Sequence, residues 1–267
     1  MTRDFVTING FEVAYSLHGD SRRPVVVLSH SLATNLDLWI YQIPLLARRF
    51  RVLAYDLRGH GESGAPSDNS TLQELASDVA ALLDQLQISS AAFVGISIGG
   101  MIGQHFALQY PDKLTALVLC STGARTDPKA RIKIEERINT VRHEGLASQV
   151  APTLARWFTP KFIEESPANV AWIADLILRT SVNGYTGCAR AVQGLDVIDA
   201  LHEVRARTLI VPGEFDAAFP EEASREIQQR IPNAELQLLE GAAHLGNIEQ
   251  AHRFNEIILN FLGQVLT

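Results

Sequence analysis

Ala91-Ala92-Phe93-Val94-Gly95-Ile96-Ser97-Ile98-Gly99-Gly100-Met101 is the stretch that decides the fold. A short apolar run ends in Gly95-Ile96-Ser97-Ile98-Gly99, a G-x-S-x-G pattern that holds a serine on a sharp strand-to-helix turn with its hydroxyl exposed. With ordinary glycine and serine usage, roughly 0.07 chance matches are expected over a chain of this length. A serine hydroxyl is a weak nucleophile. The pattern therefore carries chemistry only where the chain also supplies a base and an acid to orient it.

Outward from this turn, Ala91–Ile96 reads as a strand and Ile98–Tyr110 as a helix stopped by Pro111. Upstream, Phe5–Ile8 and Glu12–Leu17 alternate around Asn9-Gly10, a two-residue hairpin signal. Pro24–Ser29 (PVVVLS) is a continuous β-branched run, as expected of a strand buried on both faces of a parallel sheet. A helix is predicted over Leu36–Arg48, a strand over Arg51–Asp56, and a helix over Leu72–Leu86 from the spacing of Leu72, Leu75, Val79, Leu82, Leu83 and Leu86. Leu114–Leu119 is the next strand. The alternation argues for an α/β fold with a doubly wound, mostly parallel sheet, here of eight strands.

The rhythm changes near Arg125. Strand-like runs vanish until Thr208–Val211, and the intervening helical segments are expected to break at Pro152, Pro160, Pro167 and Gly184. Such an insertion reads as a helical cap over the C-terminal edge of the sheet, where open α/β sheets place ligands. The expected organisation is a first core part over residues 1–124, a cap over 125–190 and a second core part over 191–267. In the last part, Glu235–Leu239 reads as a strand and Gln250–Leu262 as a closing helix.

Composition bounds the function. The 267 residues suit one large α/β domain, and 46% apolar with 20% charged residues is normal for a soluble globular enzyme. Thirty acidic residues against 23 basic ones give a net charge of -7, with no basic stripe, so nucleic acid is not an expected partner. MTRDFVTING lacks a signal-peptide core and no run approaches the ~20 apolar residues that span a membrane, so a cytoplasmic setting without membrane contact is expected. Cys120 and Cys188 form no disulfide framework. They either pair once or, as a reducing cytoplasm favours, stay as two buried free thiols.

Two further residues complete the chemistry suggested by Ser97. Thr208–Pro212 is followed by Gly213-Glu214-Phe215-Asp216, which places Asp216 just past a strand end. Leu236–Leu239 is followed by Glu240-Gly241-Ala242-Ala243-His244, which places His244 on the next loop of the same edge. Taken alone, Asp216 is an ordinary turn residue and His244 an ordinary loop residue. Together with Ser97 they follow the Ser…Asp…His chain order of α/β-hydrolases. His244 would take the Ser97 proton, and Asp216 would fix the imidazole tautomer and stabilise the imidazolium. Two backbone N–H groups should face the developing oxyanion: Ile98, directly after the nucleophile at a helix start, and Leu32 in the loop His30–Thr34.

Other motifs point elsewhere and fail. Asp56–Gly64 contains G-x-G-x-x-G after a strand, but Ala65-Pro66-Ser67-Asp68 follows as a loop rather than the helix a dinucleotide site needs. The eight histidines are scattered, H-E-x-x-H is absent and the cysteines stand 68 positions apart, so no metal site is expected. His105, within the helix after Ser97, reads as a packed histidine.

With these residues placed, the chain resembles the α/β-hydrolases from end to end, and more narrowly the 3-oxoadipate enol-lactonases. The resembling segments are SLATNLDLW (Ser31–Trp39), QIPLLARRFRVLAYDLRGHGES (Gln42–Ser63), GISIGGMIGQ (Gly95–Gln104), RWFTP (Arg156–Pro160) and AAHLGNIEQ (Ala242–Gln250). The resemblance implies hydrolysis of an enol-lactone bearing a carboxylate, without metal or organic cofactor, through an acyl-enzyme on Ser97 that water activated by His244 then frees. It also implies Trp157 as an apolar wall of the cap.

Two positions depart from the family pattern. Ala33 stands where the oxyanion loop usually has glycine, and Gln193 where a cap arginine is common. Arg190, three residues earlier, can share that helical face, and a carboxylate prefers the planar fork of arginine. Its other reading is a solvated surface arginine. The substrate is therefore expected to be a small-molecule lactone or ester. Carboxylesterase or haloperoxidase-like perhydrolase activity, or a hydrolase-fold receptor, are the alternatives, and the number of subunits is left open by the sequence.

Overall fold

The central strands carry apolar residues on both faces because both faces are covered. In the computed structural model, which describes residues 2–66 and 68–266, β1 (Asp4–Ile8) and β2 (Phe11–His18) form the N-terminal hairpin. Asn9 and Gly10 turn it with φ of 45° and 83°, the left-handed pair a two-residue hairpin loop requires. The remaining strands are β3 (Val25–Ser29), β4 (Arg51–Tyr55), β5 (Ala91–Ile96), β6 (Leu114–Cys120), β7 (Arg207–Val211) and β8 (Glu235–Leu236). They form one eight-stranded sheet in the order β1-β2-β4-β3-β5-β6-β7-β8. β2 pairs antiparallel with both β1 and β4, and the pairings from β4 through β8 are parallel. Met1, Ser67 and Thr267 lie outside the described residues, so the loop expected over 65–68 is seen except at Ser67.

Alternation within each strand divides the core into two layers. Val26 and Leu28 of β3, Val94 and Ile96 of β5, and Val118 of β6 join one cluster with Trp39, Phe254 and Phe261. Val27, Phe93 and Leu117, one residue out of phase, join the other with Leu83, Ile102 and Phe106. Each such buried side chain is worth about 1.5–3 kcal/mol over its exposed state, so both layers hold the sheet.

The helices are α1 (Ile43–Leu46), α2 (Leu72–Gln85), α3 (Ile98–Gln109), α4 (Pro128–Glu144), α5 (Ala147–Trp157), α6 (Pro160–Glu165), α7 (Pro167–Arg179), α8 (Val182–Gln193), α9 (Glu221–Arg230), α10 (Gly246–Glu249) and α11 (Ala251–Val265). Five of them, α4 to α8, run consecutively between β6 and β7. Thr71 and Glu74 start α2 with a reciprocal capping box.

Several expected boundaries are corrected. Leu36–Arg48 is not one helix but a 3-10 turn (Leu36–Trp39) followed by α1. Pro44 has no N–H to donate to Ile40, so it is accommodated only where a new helix begins. Pro160 and Pro167 do open helices, but Pro152 and Gly184 lie inside α5 and α8. β8 stops at Leu236 rather than Leu239. Gln237 and Leu239 still donate to Ile210 and Pro212, but Pro212 has no N–H to return. Helix α9 was not expected, its sequence EEASREIQQR burying only Ser224 and Ile227. Cys120 and Cys188 are both buried free thiols. Among the described residues, no helix is long and apolar enough to cross a membrane.

Candidate active site

Backbone strain marks the turn at Ser97. Its N–H still donates to Cys120 O of β6 at 2.9 Å, and its backbone then takes φ 59° and ψ -121° before α3 begins. Such a conformation costs a side-chain-bearing residue about 1–3 kcal/mol and persists only where neighbours enforce it. Here the Ser97 carbonyl accepts from the Thr122 hydroxyl at 2.8 Å and from the Gly100 and Met101 N–H groups at 2.9 and 3.1 Å. The flanking glycines allow the crowding. A Cβ on Gly95 would lie 2.2 Å from Gly99 O, and one on Gly99 2.2 Å from Ser29 O. The spacing of G-x-S-x-G thus reflects the close approach of α3 to the ends of β3 and β5. Ser97 is 8% exposed, so its residue is enclosed without being sealed.

Two strands away, the loops after β7 and β8 are zipped together. Glu214 N–H donates to Leu239 O at 3.1 Å and Phe215 N–H to Ala242 O at 2.8 Å, while Glu214 Oε2 accepts from Gly241 N–H at 2.8 Å. This pairing brings Asp216 Oδ2 to 2.9 Å from His244 Nδ1. The other carboxylate oxygen accepts from Ala218 N–H at 2.8 Å and Phe219 N–H at 3.1 Å. Burial opposes ionisation of Asp216. Attraction to the His244 ring, the hydrogen bond to it and the two N–H donors outweigh burial and hold the carboxyl below its ordinary range. With Nδ1 donating to Asp216, Nε2 is left as the proton acceptor.

The loop after β3 is fixed from below. His30 Nε2 accepts from Leu57 N–H at 2.9 Å, which leaves Nδ1 to donate to Ser31 O at 2.8 Å. Burial, then the neighbouring His60, pull His30 down to about 3, so it stays neutral. Ala33 in this loop takes φ 61°, the left-handed conformation that glycine adopts without penalty. Among the described residues, neither the Leu32 nor the Ile98 N–H donates to a backbone acceptor. Leu32 follows β3 and Ile98 follows β5, and these two strands pair in parallel, so the two residues stand at the same edge of the sheet.

The Asp56–Gly64 segment is a structural knot. Asp56 accepts from Leu36 N–H at 2.7 Å and Glu62 N–H at 2.9 Å, and burial still raises its carboxyl to about 6. The next α-helix begins only at Leu72, so the glycines build a loop and not a phosphate cradle. His105 is buried in α3 and lowered to about 4 by that burial. Among the described residues, no three His, Cys, Asp or Glu side chains gather as a metal site requires.

A family model described as the alpha/beta hydrolase fold matches residues 24–251. The chain belongs to that family. Over 256 residues, 96% of this hydrolase and 95% of the relative, it is 33% identical to 3-oxoadipate enol-lactonase 2 of Acinetobacter baylyi. The structure of a hydrolase from Pseudomonas aeruginosa PA01 superposes with a TM-score of 0.94 at 36% identity, covering 98% of both chains. The enol-lactonase from Burkholderia xenovorans LB400 also gives 0.94, at 34% identity over 97% of this chain and 100% of that one.

The helices between β6 and β7 reach the His244 loop of this hydrolase. The Trp157 ring stacks on His244 with centroids 6.0 Å apart, so the sequence-predicted wall residue sits against the imidazole. Phe219, which the sequence did not single out, stacks on the same ring at 5.8 Å. Its signal was position, three residues after Asp216. Arg190 is half-buried in the last turn of α8, and among the described residues no hydrogen bond or ion pair joins it to Ser97, Asp216 or His244. Gln193 is engaged elsewhere, donating to Arg131 O and Glu135 Oε2 of α4 at 3.0 Å each.

Two further arginines, not singled out in the sequence, lie in these helices. Arg156, beside Trp157, and Arg137 of α4 are half-buried; Arg156 donates to the Thr153 hydroxyl at 3.1 Å and Arg137 to Lys133 O at 3.4 Å, and among the described residues neither forms an ion pair with an acidic side chain. Burial, then the charge of Arg137, lower Arg156, and both cations bear on the buried Tyr185.

Proposed function

We propose that this hydrolase opens a carboxylate-bearing enol-lactone of the 3-oxoadipate type through an acyl-enzyme on Ser97. The observation that carries the proposal is the Asp216–His244 pair on the same sheet edge as the strained Ser97 turn. His244 Nε2 takes the hydroxyl proton as Ser97 Oγ bonds to the ring carbonyl carbon, and Asp216 stabilises the imidazolium. The oxyanion is received by the N–H groups of Leu32 and Ile98. The ring C–O bond then breaks, and His244 returns its proton to the enol oxygen, which stays tethered to the acyl chain. Water, deprotonated by His244, releases the acid and restores Ser97. No step calls for a cofactor.

Charge in the cap supports an anionic substrate. Two guanidinium groups held half-buried without acidic partners are costly unless an anion joins them. Of the two, Arg156 lies in the last turn of α5, the helix end that is tied to the His244 loop. Two buried free thiols fit a cytoplasmic setting.

The test compares kcat/KM on the carboxylate-bearing enol-lactone with that on its uncharged methyl ester. At least about a tenfold preference for the anion is expected, roughly 1.4 kcal/mol of recognition. Arg156→Gln should remove that preference by raising KM, whereas Arg190→Gln should retain it. Equal kcat/KM on both substrates would remove the carboxylate from the account.

A further inference from the structure

The residues on either side of His244 are tied to one short piece of the helical insertion. Leu245 N–H donates to Trp157 O at 3.1 Å. On the other side, Ala243 N–H donates to Glu249 Oε2 at 2.8 Å. The second oxygen of Glu249 accepts from Thr159 N–H at 3.0 Å and from the Thr159 hydroxyl. That hydroxyl in turn accepts from Phe162 N–H at 3.2 Å and starts α6. Between these two ties, the Trp157 ring lies on the imidazole.

We propose that Glu249 is a positioning residue, which clamps Trp157–Thr159 onto the His244 loop so that the cap wall and the aim of the imidazole are set together. This rests on the Ser97–Asp216–His244 assignment above. Only a carboxylate fits the clamp, because it offers acceptors on both oxygens to three donors. A glutamine in either orientation turns an NH2 group against an N–H, and one arm of the clamp is lost. Loss of either arm frees the loop at the residue next to His244. Misplacement of a catalytic group by about 1 Å can cost up to about 10²-fold in rate. An acetyl ester carries no carboxylate for Arg156 and fills little of the space against Trp157, so with such a substrate the loss falls on kcat rather than on KM.

Glu249→Gln, Thr159→Val and Thr159→Ser are assayed on p-nitrophenyl acetate at a temperature where each is fully folded. The expected result is a fall in kcat of about 10- to 100-fold for Glu249→Gln and Thr159→Val, with KM within about twofold of the parent. Thr159→Ser, which keeps the hydroxyl, should restore kcat. Lower thermal midpoints with unchanged kcat in both variants would make Glu249 a structural tie and overturn the proposal. Should Glu249→Gln fail to fold, the Thr159→Val and Thr159→Ser pair decides alone. Turnover by Ser97→Ala equal to that of the parent would overturn the triad assignment as well. Ser97-dependent turnover that ignores the clamp overturns only the clamp.

Discussion

At the scale of single residues, Ala33 and Ser97 hold similar φ values for opposite reasons. Ser97 needs its side chain, and the turn that strains it is bolted by Thr122 and by the close approach of Gly99 to Ser29. The backbone of Ala33 does not require its methyl group, and at φ 61° the methyl strains it, but that methyl is buried in the core. Ala33→Gly removes a left-handed penalty of about 1–2 kcal/mol and loses about 0.8 kcal/mol of methyl burial plus the extra chain entropy of glycine, so stability should change by less than about 0.5 kcal/mol. A urea midpoint close to the parent's at unchanged m-value checks this. The departure from glycine at position 33 was visible in the sequence. Its strain was not, since φ is a property of the folded loop.

Among the elements, α5 carries a proline that the sequence would place at a helix end. Pro152 sits in its sixth position, exposed, where it denies Ser148 O a hydrogen bond and gains no packing. Pro152→Ala should stabilise the protein by about 1–3 kcal/mol, measured as a rise in thermal midpoint, with activity retained. The same physics explains which elements were legible. β5 and the start of α3 could be placed to the residue, and the end of α3 to within one, because a pure apolar run, a G-x-S-x-G turn and Pro111 all mark boundaries. Leu36–Arg48 could not, since its apolar spacing is helical while Pro44 divides it. β8 was overextended because the loss of its partner donors depends on Pro212 lying opposite, a tertiary fact. Ser97 could be singled out by the G-x-S-x-G motif, and Asp216 and His244 by their places after two strands and the Ser…Asp…His order, although the second of those strands ends three residues earlier than expected. The aromatic ring of Phe219, the two cap arginines and the Glu249 clamp required knowing how the helices lie across the sheet.

In the whole molecule, buried titratable groups set the response to acid. His30, His60 and His105 are pulled by burial to about 3, 4 and 4, from an ordinary value near 6.5. Below pH 6.5 the unfolded chain binds protons there that the folded chain refuses, so their contribution is lost as pH falls. Asp56, raised to about 6, and Asp78, also raised, act in the opposite sense, because the folded chain keeps protons the unfolded one releases above about pH 4. Between pH 6 and 4, unfolding should take up one to two net protons, so stability should drop by about 2 kcal/mol per pH unit. Urea titrations at pH 7, 6 and 5 check this. A midpoint that holds or rises on acidification would contradict it.

The sheet edge that gathers Asp216 and His244 is the ground for proposing Ser97 as the nucleophile, and that proposal has a direct measurement. Intact-mass spectrometry on enzyme acid-quenched during turnover of p-nitrophenyl acetate, followed by peptide mapping, reports where the acyl group goes. The account predicts the gain of one acetyl group on the peptide containing Ser97, and no adduct in Ser97→Ala, whose kcat should fall by about 10⁴- to 10⁶-fold. Hydrolysis by Ser97→Ala at the parent rate, or an acetyl group carried on another residue, would contradict it.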